Sequence, residues 1–358
     1  MDSTSTIHTD AVTNPTTSDT TEAASPSRST EVASAAKMLA TLYGPIVAQL
    51  AQVERQLHSE LQSPYESLVP LLRHGTQLGG KRLRPAMLLL AADAVGGVSQ
   101  DHIVLGTVIE MVHTATLIHD DVLDDAETRR HVPTINSRWN SHTSILLGDF
   151  LFAQSFRLAA TLDSTEACRL IGEAARKVCE GELRQVLDRD QIDLDEETYI
   201  DMLRGKTAEL CRVACHLGAS YAGGDQEIVA AMSEFGDSIG IAFQIADDYL
   251  DLWGDDTAVG KTLGTDIQQG KITLPIIRLL DTVSESERET VVEILRGPSE
   301  SRIDAIRPWL QRSDAREYTA AAAQQYQKLA LQSLSVLSDS ESKDCLIEIA
   351  KFATNRSF

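Results

Sequence analysis

The chain has 358 residues, of which 42% are hydrophobic, and a formal net charge of −21. It is long enough to bury a substantial core in one large domain or two, and its charge argues against nucleic acid, whose phosphates it would repel. A small anionic substrate is not excluded, because metal ions and a few local bases reverse the sign within a pocket.

Residues 1–36 are rich in Ser and Thr, with Pro15 and Pro26 and almost no large apolar side chain. Such a segment cannot bury enough surface to offset its ordering entropy, so a disordered tail is expected. From Lys37 the pattern changes, and residues 37–358 read as one helical domain. Leu39, Leu42, Ile46, Leu50, Val53 and Leu57 recur at three- and four-residue steps, the spacing of an amphipathic helix. Helical periodicity then runs to the C-terminus, with Ala-containing stretches at 86–92, 174–178 and 318–337. Gly79-Gly80, Gly96-Gly97, Gly223-Gly224 and Gly297-Pro298 punctuate it. No clear alternating strand is present, so the expected class is all-α, a large helical bundle. The five cysteines lack CxxC spacing, which suggests reduced thiols rather than a disulfide framework. No run approaches the roughly 20 apolar residues of a membrane span, and no signal-peptide pattern opens the chain. A cytoplasmic protein is expected, one that could still rest peripherally on a membrane.

The chemistry-bearing stretches begin at Gly79-Gly80-Lys81-Arg82-Leu83-Arg84-Pro85. Glycines allow close approach to an anion, and Pro85 suits the first turn of a following helix. Arg84 can grip a phosphate with two parallel N–H groups while Lys81 acts as a point charge. An ordinary basic loop is the plainer reading. Next come Asp120, Asp121 and Asp124, and 127 residues later Asp247, Asp248 and Asp251, each set closing an apolar helix-like run. On a helix the three Asp of a DDxxD fall within about 100° of arc. Such carboxylates repel unless a cation lies between them, and Mg²⁺ commonly bridges carboxylates to phosphates. One such cluster is readily a solvated acidic face, but two point to facing metal sites. His113 lies seven residues before Asp120 and so shares its face, although a lone His on an apolar helix is more often a core residue. Arg129 and Arg130 follow the first cluster, placed either for surface salt bridges or for the outer oxygens of a diphosphate. Lys206-Thr207 lacks the glycine spacing of a nucleotide-binding P-loop. Residues 254–275 are rich in Gly and Asp and carry Lys261 and Lys271, as a flap over a bound diphosphate would.

Taken with LLGDFLFAQSF at 146–156, GELRQ at 181–185, GKT at 205–207, FQIADDYLDLWGD at 243–255 and GKTLGTDIQQGKITLP at 260–275, these motifs resemble those of trans-isoprenyl diphosphate synthases, the polyprenyl synthetases. The resemblance covers essentially Lys37 to Phe358. It implies an isoprenoid-synthase bundle with the two Asp motifs facing across a central cavity, Mg²⁺ as cofactor at three ions per site, and a homodimer. Asp120, Asp121 and Asp124 would hold two Mg²⁺, and Asp247 with Asp248 and Asp251 a third. Gln244 and Asp188 would lie near the metals or their waters. The allylic diphosphate would meet Arg129, Lys206, Thr207, Gln244, Lys261 and Lys271, and isopentenyl diphosphate would meet Lys81, Arg84, His113 and Arg130. The chain departs from the family pattern at His131 and Asn140, where Gly is common, which bears on loop geometry rather than chemistry. The implied reaction ionises the allylic diphosphate, joins the cation to the double bond of isopentenyl diphosphate, and loses a proton to the departing diphosphate. Alternatives are a class I terpene cyclase, which usually lacks the second DDxxD, and a non-catalytic subunit of a heteromeric synthase, which tends to lose site residues.

Product length is read from the helix before Asp120. Thr116 lies within about 40° of the Asp120 face, and Ala115, Thr116, Val112 and Ile109 would form the wall and floor of a tunnel. In short-chain relatives a bulky aromatic blocks one or both of the positions held here by Ala115 and Thr116. Their small size predicts a long-chain product, roughly C30 to C50 at about one isoprene unit per helical turn, with geranylgeranyl or farnesyl products as the alternative.

Overall fold

The computed structural model describes residues 42–77, 80–130, 132–187, 192–254 and 263–355. The disordered tail expected over 1–36 lies outside them. A 3₁₀ turn at Gly44–Ile46 leads into α1 (Val47–Glu60). Leu39 lies outside the described residues and Leu42 is helical, so the 3₁₀ turn carrying Pro45 interrupts the apolar run, which α1 resumes with Leu50, Val53 and Leu57. Then come α2 (Val69–Gln77), α3 (Leu83–Val95) and α4 (Gln100–Leu123). Ser99 caps α4, and the His102 side chain reaches back to the Ser99 backbone N–H. Every residue from Pro85 to Ala92 is buried, so α3 is apolar on all sides and runs through the middle of the bundle.

A short antiparallel hairpin, β1 (Thr128–Arg129) and β2 (Val132–Pro133), follows α4. Its strands are too short to show an alternating pattern, and the sequence gives no sign of them. Beyond lie α5 (Ile135–Arg138), α6 (Ser141–Ala159) and α7 (Glu166–Leu187). Next, α8 (Glu196–Leu203) runs through a π turn at Arg204–Ala208 into α9 (Glu209–Tyr221). The second long helix, α10 (Gln226–Trp253), is capped by Asp225, whose Oδ1 accepts the Ile228 N–H at 2.9 Å. The remaining helices are α11 (Thr265–Gln268), α12 (Leu274–Thr282), α13 (Glu285–Arg296), α14 (Ser299–Arg312), α15 (Ala315–Ser333) and α16 (Glu341–Asn355).

The main core joins α3, α4, α6, α7, α9 and the first half of α10. A smaller core under α11 to α14 includes Ile267, Ile276, Leu279 and Leu295. Contrary to the expectation from apolar runs, α4 and α10 are long and apolar enough to cross a bilayer by length and composition. Glu110, Thr107 and His113 break the run in α4 without lowering its mean much. Most of the apolar window in α4 and half of that in α10 is buried within the protein, as in core helices.

Candidate active site

The last turn of α4 delivers Asp120 and Asp121, and Asp124 closes the helix with its N–H on the Asp120 carbonyl at 2.8 Å. Asp121 is fully buried. Its Oδ1 accepts from both Nε and Nη2 of Arg129 at 2.8 Å, while its Oδ2 has no hydrogen-bond partner. Arg129 reaches it from β1, and the segment between is latched by buried Thr134, which donates to the Ala126 carbonyl at 2.7 Å. Asp120 faces Glu182 of α7. Burial and the Glu182 charge push its carboxyl up to about 7, although Lys206 works the other way. The Lys206 ammonium pairs with Glu182 and donates to Gln185 Oε1 at 2.9 Å. Burial disfavours its charge, but Asp120 and Glu182 outweigh that and hold it firmly protonated.

Lys206 is aimed by the π turn, which needs room on two sides. A Cβ on Gly181 would come within 3.2 Å of the Lys206 backbone N, and one on Gly240 within 2.5 Å of Ala208 Cα. The turn therefore sits between two glycines, one on α7 and one on α10. π turns inside helices are rare and cluster at functional sites.

On α10, Asp248 is buried and takes two hydrogen bonds, from the Tyr199 hydroxyl at 2.6 Å and from Gln244 Nε2 at 2.9 Å. Burial and the nearby Asp266 push its carboxyl up to about 8. Thr207 donates to Gln244 Oε1 at 3.0 Å, which links the π turn to this carboxylate. Asp247 is half-buried one position earlier. Asp251, expected among the catalytic carboxylates, is engaged by the segment that follows α10. Its Oδ1 accepts the Thr265 N–H at 3.1 Å and hydroxyl at 2.6 Å, and its Oδ2 accepts the Asp266 N–H at 3.1 Å. Both oxygens thus cap α11. Lys271, just beyond that helix, lies 3.5 Å from Asp124 Oδ1 and 3.9 Å from Asp266 Oδ1, so the two acidic clusters share a cation. A cavity opens beside the second cluster, lined by Gln185, Tyr199, Lys206, Gln244, Asp248 and Lys271. Among the described residues no three acidic or histidine side chains converge at metal-binding spacing, and lysines and Arg129 stand among the carboxylates. Lys261 and Asp188 lie outside the described residues.

The basic group assembles around α3. Arg84 donates from Nη1 to His113 Nε2 at 3.0 Å. Burial, then Arg84 and Arg130, hold the His113 imidazole well below its usual range, so it is neutral and an acceptor. Arg130 presses against Gly80, where a Cβ would meet its Nη1 at 2.2 Å. Lys81 Nζ stands 4.6 Å over the Phe352 ring of α16. Arg82 turns the opposite way and pairs with Glu54 and Glu110.

Two carboxylate groups, with lysines between them and a separate cluster of arginines, match the family pattern, and the chain as a whole matches it too. The family model described as polyprenyl synthetase aligns with residues 66–310. This chain belongs to the polyprenyl synthetase family. The synthetase is 36% identical over 295 residues to a short chain isoprenyl diphosphate synthase of Methanothermobacter thermautotrophicus, covering 81% of this chain and 91% of that protein. It is 33% identical over 316 residues to an all-trans-nonaprenyl-diphosphate synthase of Rhodobacter capsulatus, covering 88% of this chain and 97% of that one. A crystal structure of a decaprenyl diphosphate synthase from Rhodobacter capsulatus superposes with a TM-score of 0.84 at 31% identity, over 89% of this chain and 99% of that chain. The all-α class is that of the family, and these neighbours are named for both short and long products.

In this synthetase the residues expected to form the product tunnel divide into two groups. Ile109, Val112 and Ala115 have no exposed surface and sit in the main core. Thr116 is half-buried, its hydroxyl bonded back to the His113 carbonyl at 2.8 Å. Sequence reasoning passed over Tyr199, which no local pattern marks, and gave no role to Asp266, which lies within the GKTLGTDIQQGKITLP stretch at 260–275. Glu182 and Gln185 lay within the GELRQ stretch but carried no assigned role.

Proposed function

We propose that this synthetase joins isopentenyl diphosphate to an allylic prenyl diphosphate, head to tail and in trans, and builds a long-chain polyprenyl diphosphate. The observation that carries the reaction is the approach of two acidic clusters, with Lys271 between Asp124 and Asp266 and Lys206, Gln244 and Asp248 lining a cavity, while Arg84 and Arg130 gather separately around His113. That arrangement suits two diphosphates of different fate. Asp120, Asp121 and Asp124, with Asp247 opposite, would hold Mg²⁺, three ions by the family pattern. The donor set is hard oxygen, Asp121 keeps one buried oxygen without a partner, and Asp120 and Asp248 carry raised pKa values. Bound Mg²⁺ supplies Lewis-acid neutralisation of the departing diphosphate.

The chain's own groups do the rest. Lys206, Lys271 and Arg129, with Lys261, neutralise the outer oxygens of the allylic diphosphate, and Thr207 and Gln244 orient it. Lys81, Arg84 and Arg130 hold the diphosphate of isopentenyl diphosphate, with neutral His113 fixing the Arg84 guanidinium. The departing diphosphate would take the proton, as the family resemblance implies. The long-chain assignment rests on the small side chains of Ala115 and Thr116. One observation favours a shorter product: Ile109, Val112 and Ala115 are packed into the core rather than lining the cavity. A homodimer fits the apolar face of α6, where Ile145, Leu146 and Phe150 are exposed by 46%, 68% and 37%.

The test incubates the purified single chain with Mg²⁺, isopentenyl diphosphate and geranyl, farnesyl or geranylgeranyl diphosphate, and separates the products by chain length. Long prenyl diphosphates from the chain alone support the reading and exclude a non-catalytic subunit. A cyclic hydrocarbon, or no product from any primer, overturns it.

A further inference from the structure

We propose that Arg82 and Glu110 are positioning residues for isopentenyl diphosphate, their buried ion pair fixing the turn from which Lys81 and Arg84 face the substrate. The inference rests on the assignment of Lys81 and Arg84 made above. Three cations stand within four residues, and the middle one is tied into two carboxylates. The Arg82 guanidinium is held on all sides. Its Nε pairs with Glu54, Nη1 donates to Glu110 Oε1 at 2.5 Å, and Nη2 donates to Glu54 Oε2 at 3.3 Å and to the Thr76 carbonyl at 3.4 Å. Its side chain is 12% exposed and that of Glu110 only 2%.

The backbone shows what this grip achieves. Arg82 adopts φ 53° and ψ 36°, the left-handed region that glycine tolerates and arginine resists. It is also the N-cap of α3 and lacks any side-chain cap bond. Its carbonyl nevertheless accepts the Ala86 N–H at 3.0 Å, so the helix starts there and its first turn presents Arg84. On the other side, the buried Tyr43 hydroxyl donates to the Lys81 carbonyl at 2.9 Å. The segment is thus pinned at Lys81 and at Arg82, and the two substrate-facing cations leave it on either side.

Glu110 lies three residues before His113 on α4, on adjoining turns of one face. The same helix therefore supplies the carboxylate that holds Arg82 and the imidazole that receives Arg84. Glu110 is also a buried carboxylate that offsets the mutual repulsion of Arg82, Arg84 and Arg130. Removing it sets these guanidinium groups against one another in a partly dry site.

The experiment compares Arg82→Met, Arg82→Lys and Glu110→Gln with wild type, measuring KM for each substrate, kcat and thermal unfolding, with Lys81→Ala as reference. Arg82→Met is expected to raise KM for isopentenyl diphosphate ~10-fold, the scale of one lost charged hydrogen bond, while the allylic KM stays within about two-fold. Arg82→Lys, which keeps charge but not the fork, should recover only part of this. Should Glu110→Gln fail to fold, Glu54→Gln removes the more exposed partner, and a rise of ~3-fold in the same KM is expected. An unchanged isopentenyl diphosphate KM in Arg82→Met, or an equal rise in both KM values, overturns the proposal. If Lys81→Ala raises that KM and Arg82→Met does not, positioning alone fails; if neither does, the site assignment itself falls.

Discussion

Thr116→Phe is expected to shorten the product, and the structure separates it from the neighbouring Ala115→Tyr. Four residues before Asp120, Thr116 stands about 6 Å back along the helix axis and about 40° round it. It is half-buried, and its hydroxyl bonds only to its own helix, at the His113 carbonyl. Loss of that bond costs little, since such back-bonding contributes weakly to helix stability. A phenyl ring there would project beneath the acidic cluster, roughly one isoprene unit down. Ala115, by contrast, has no exposed surface. A tyrosine forced into that packing costs ~1–3 kcal/mol before any effect on product. The assay runs wild type and both variants with geranyl diphosphate and excess isopentenyl diphosphate, dephosphorylates the products and resolves them by reversed-phase chromatography, alongside urea unfolding. The expected outcome is long products from wild type, C15 or C20 from both variants, and a stability loss only in Ala115→Tyr. A wild type that stops at C20, or a Thr116→Phe product as long as the wild type's, refutes the reasoning.

Asp120→Ala and Asp247→Ala should each lower kcat by ~100-fold or more, as loss of a metal ligand does, with circular dichroism unchanged; wild-type turnover at limiting Mg²⁺ would refute the metal role. Lys81→Ala and Arg84→Ala should raise KM for isopentenyl diphosphate far more than the allylic KM, and the reverse pattern would exchange the two diphosphate sites. Gly240→Ala places a methyl group 2.5 Å from the Ala208 backbone, which has no flexible end to yield. It should cost ~1–3 kcal/mol in urea unfolding and weaken the allylic substrate through Lys206. The last expectation concerns pH. Asp120 and Asp248 are raised from an ordinary 3.8 to about 7 and about 8, so their contribution to stability is full below about pH 4 and is lost as pH rises through those values. The chelator-treated protein should therefore melt at a lower temperature at pH 8.5 than at pH 5.5, and Mg²⁺ with inorganic diphosphate should restore most of the difference.

Much of the architecture was legible because helices dominate and their signals are local. Gly96-Gly97, Gly223-Gly224 and Gly297 fall at or just beyond helix ends, as their place in the sequence implies. What stayed hidden depends on partners far along the chain. Arg82 and Arg84 are the same residue type two positions apart, and only distant partners, Glu54 and Glu110 for one and His113 for the other, decide where each goes. Asp251 repeats the motif position of Asp124, but Thr265 and Asp266, fourteen and fifteen residues on, draw it into a cap. The π turn leaves no trace in Arg204-Gly205-Lys206-Thr207, since the space it needs is provided by Gly181 and Gly240. Tyr199 carries no signal at all; its partner Asp248 is 49 residues away.

The same turn makes the helix pair α8–α9 tolerant of an unusual edit. It holds one more residue than an α-helix would use over the same rise, while the helix on either side keeps ordinary right-handed geometry. Removing a single residue from an α-helix normally rotates everything beyond it by about 100°. Here, deleting one position between Arg204 and Ala208 would let the segment relax to plain α-helix while α9 keeps its buried face against α3 and α10. Only Lys206 and Thr207 would swing out of the cavity. A deletion in the middle of a core helix would then produce a folded protein without the Lys206 ammonium in the cavity, which separates the scaffold from the chemistry more cleanly than a side-chain substitution.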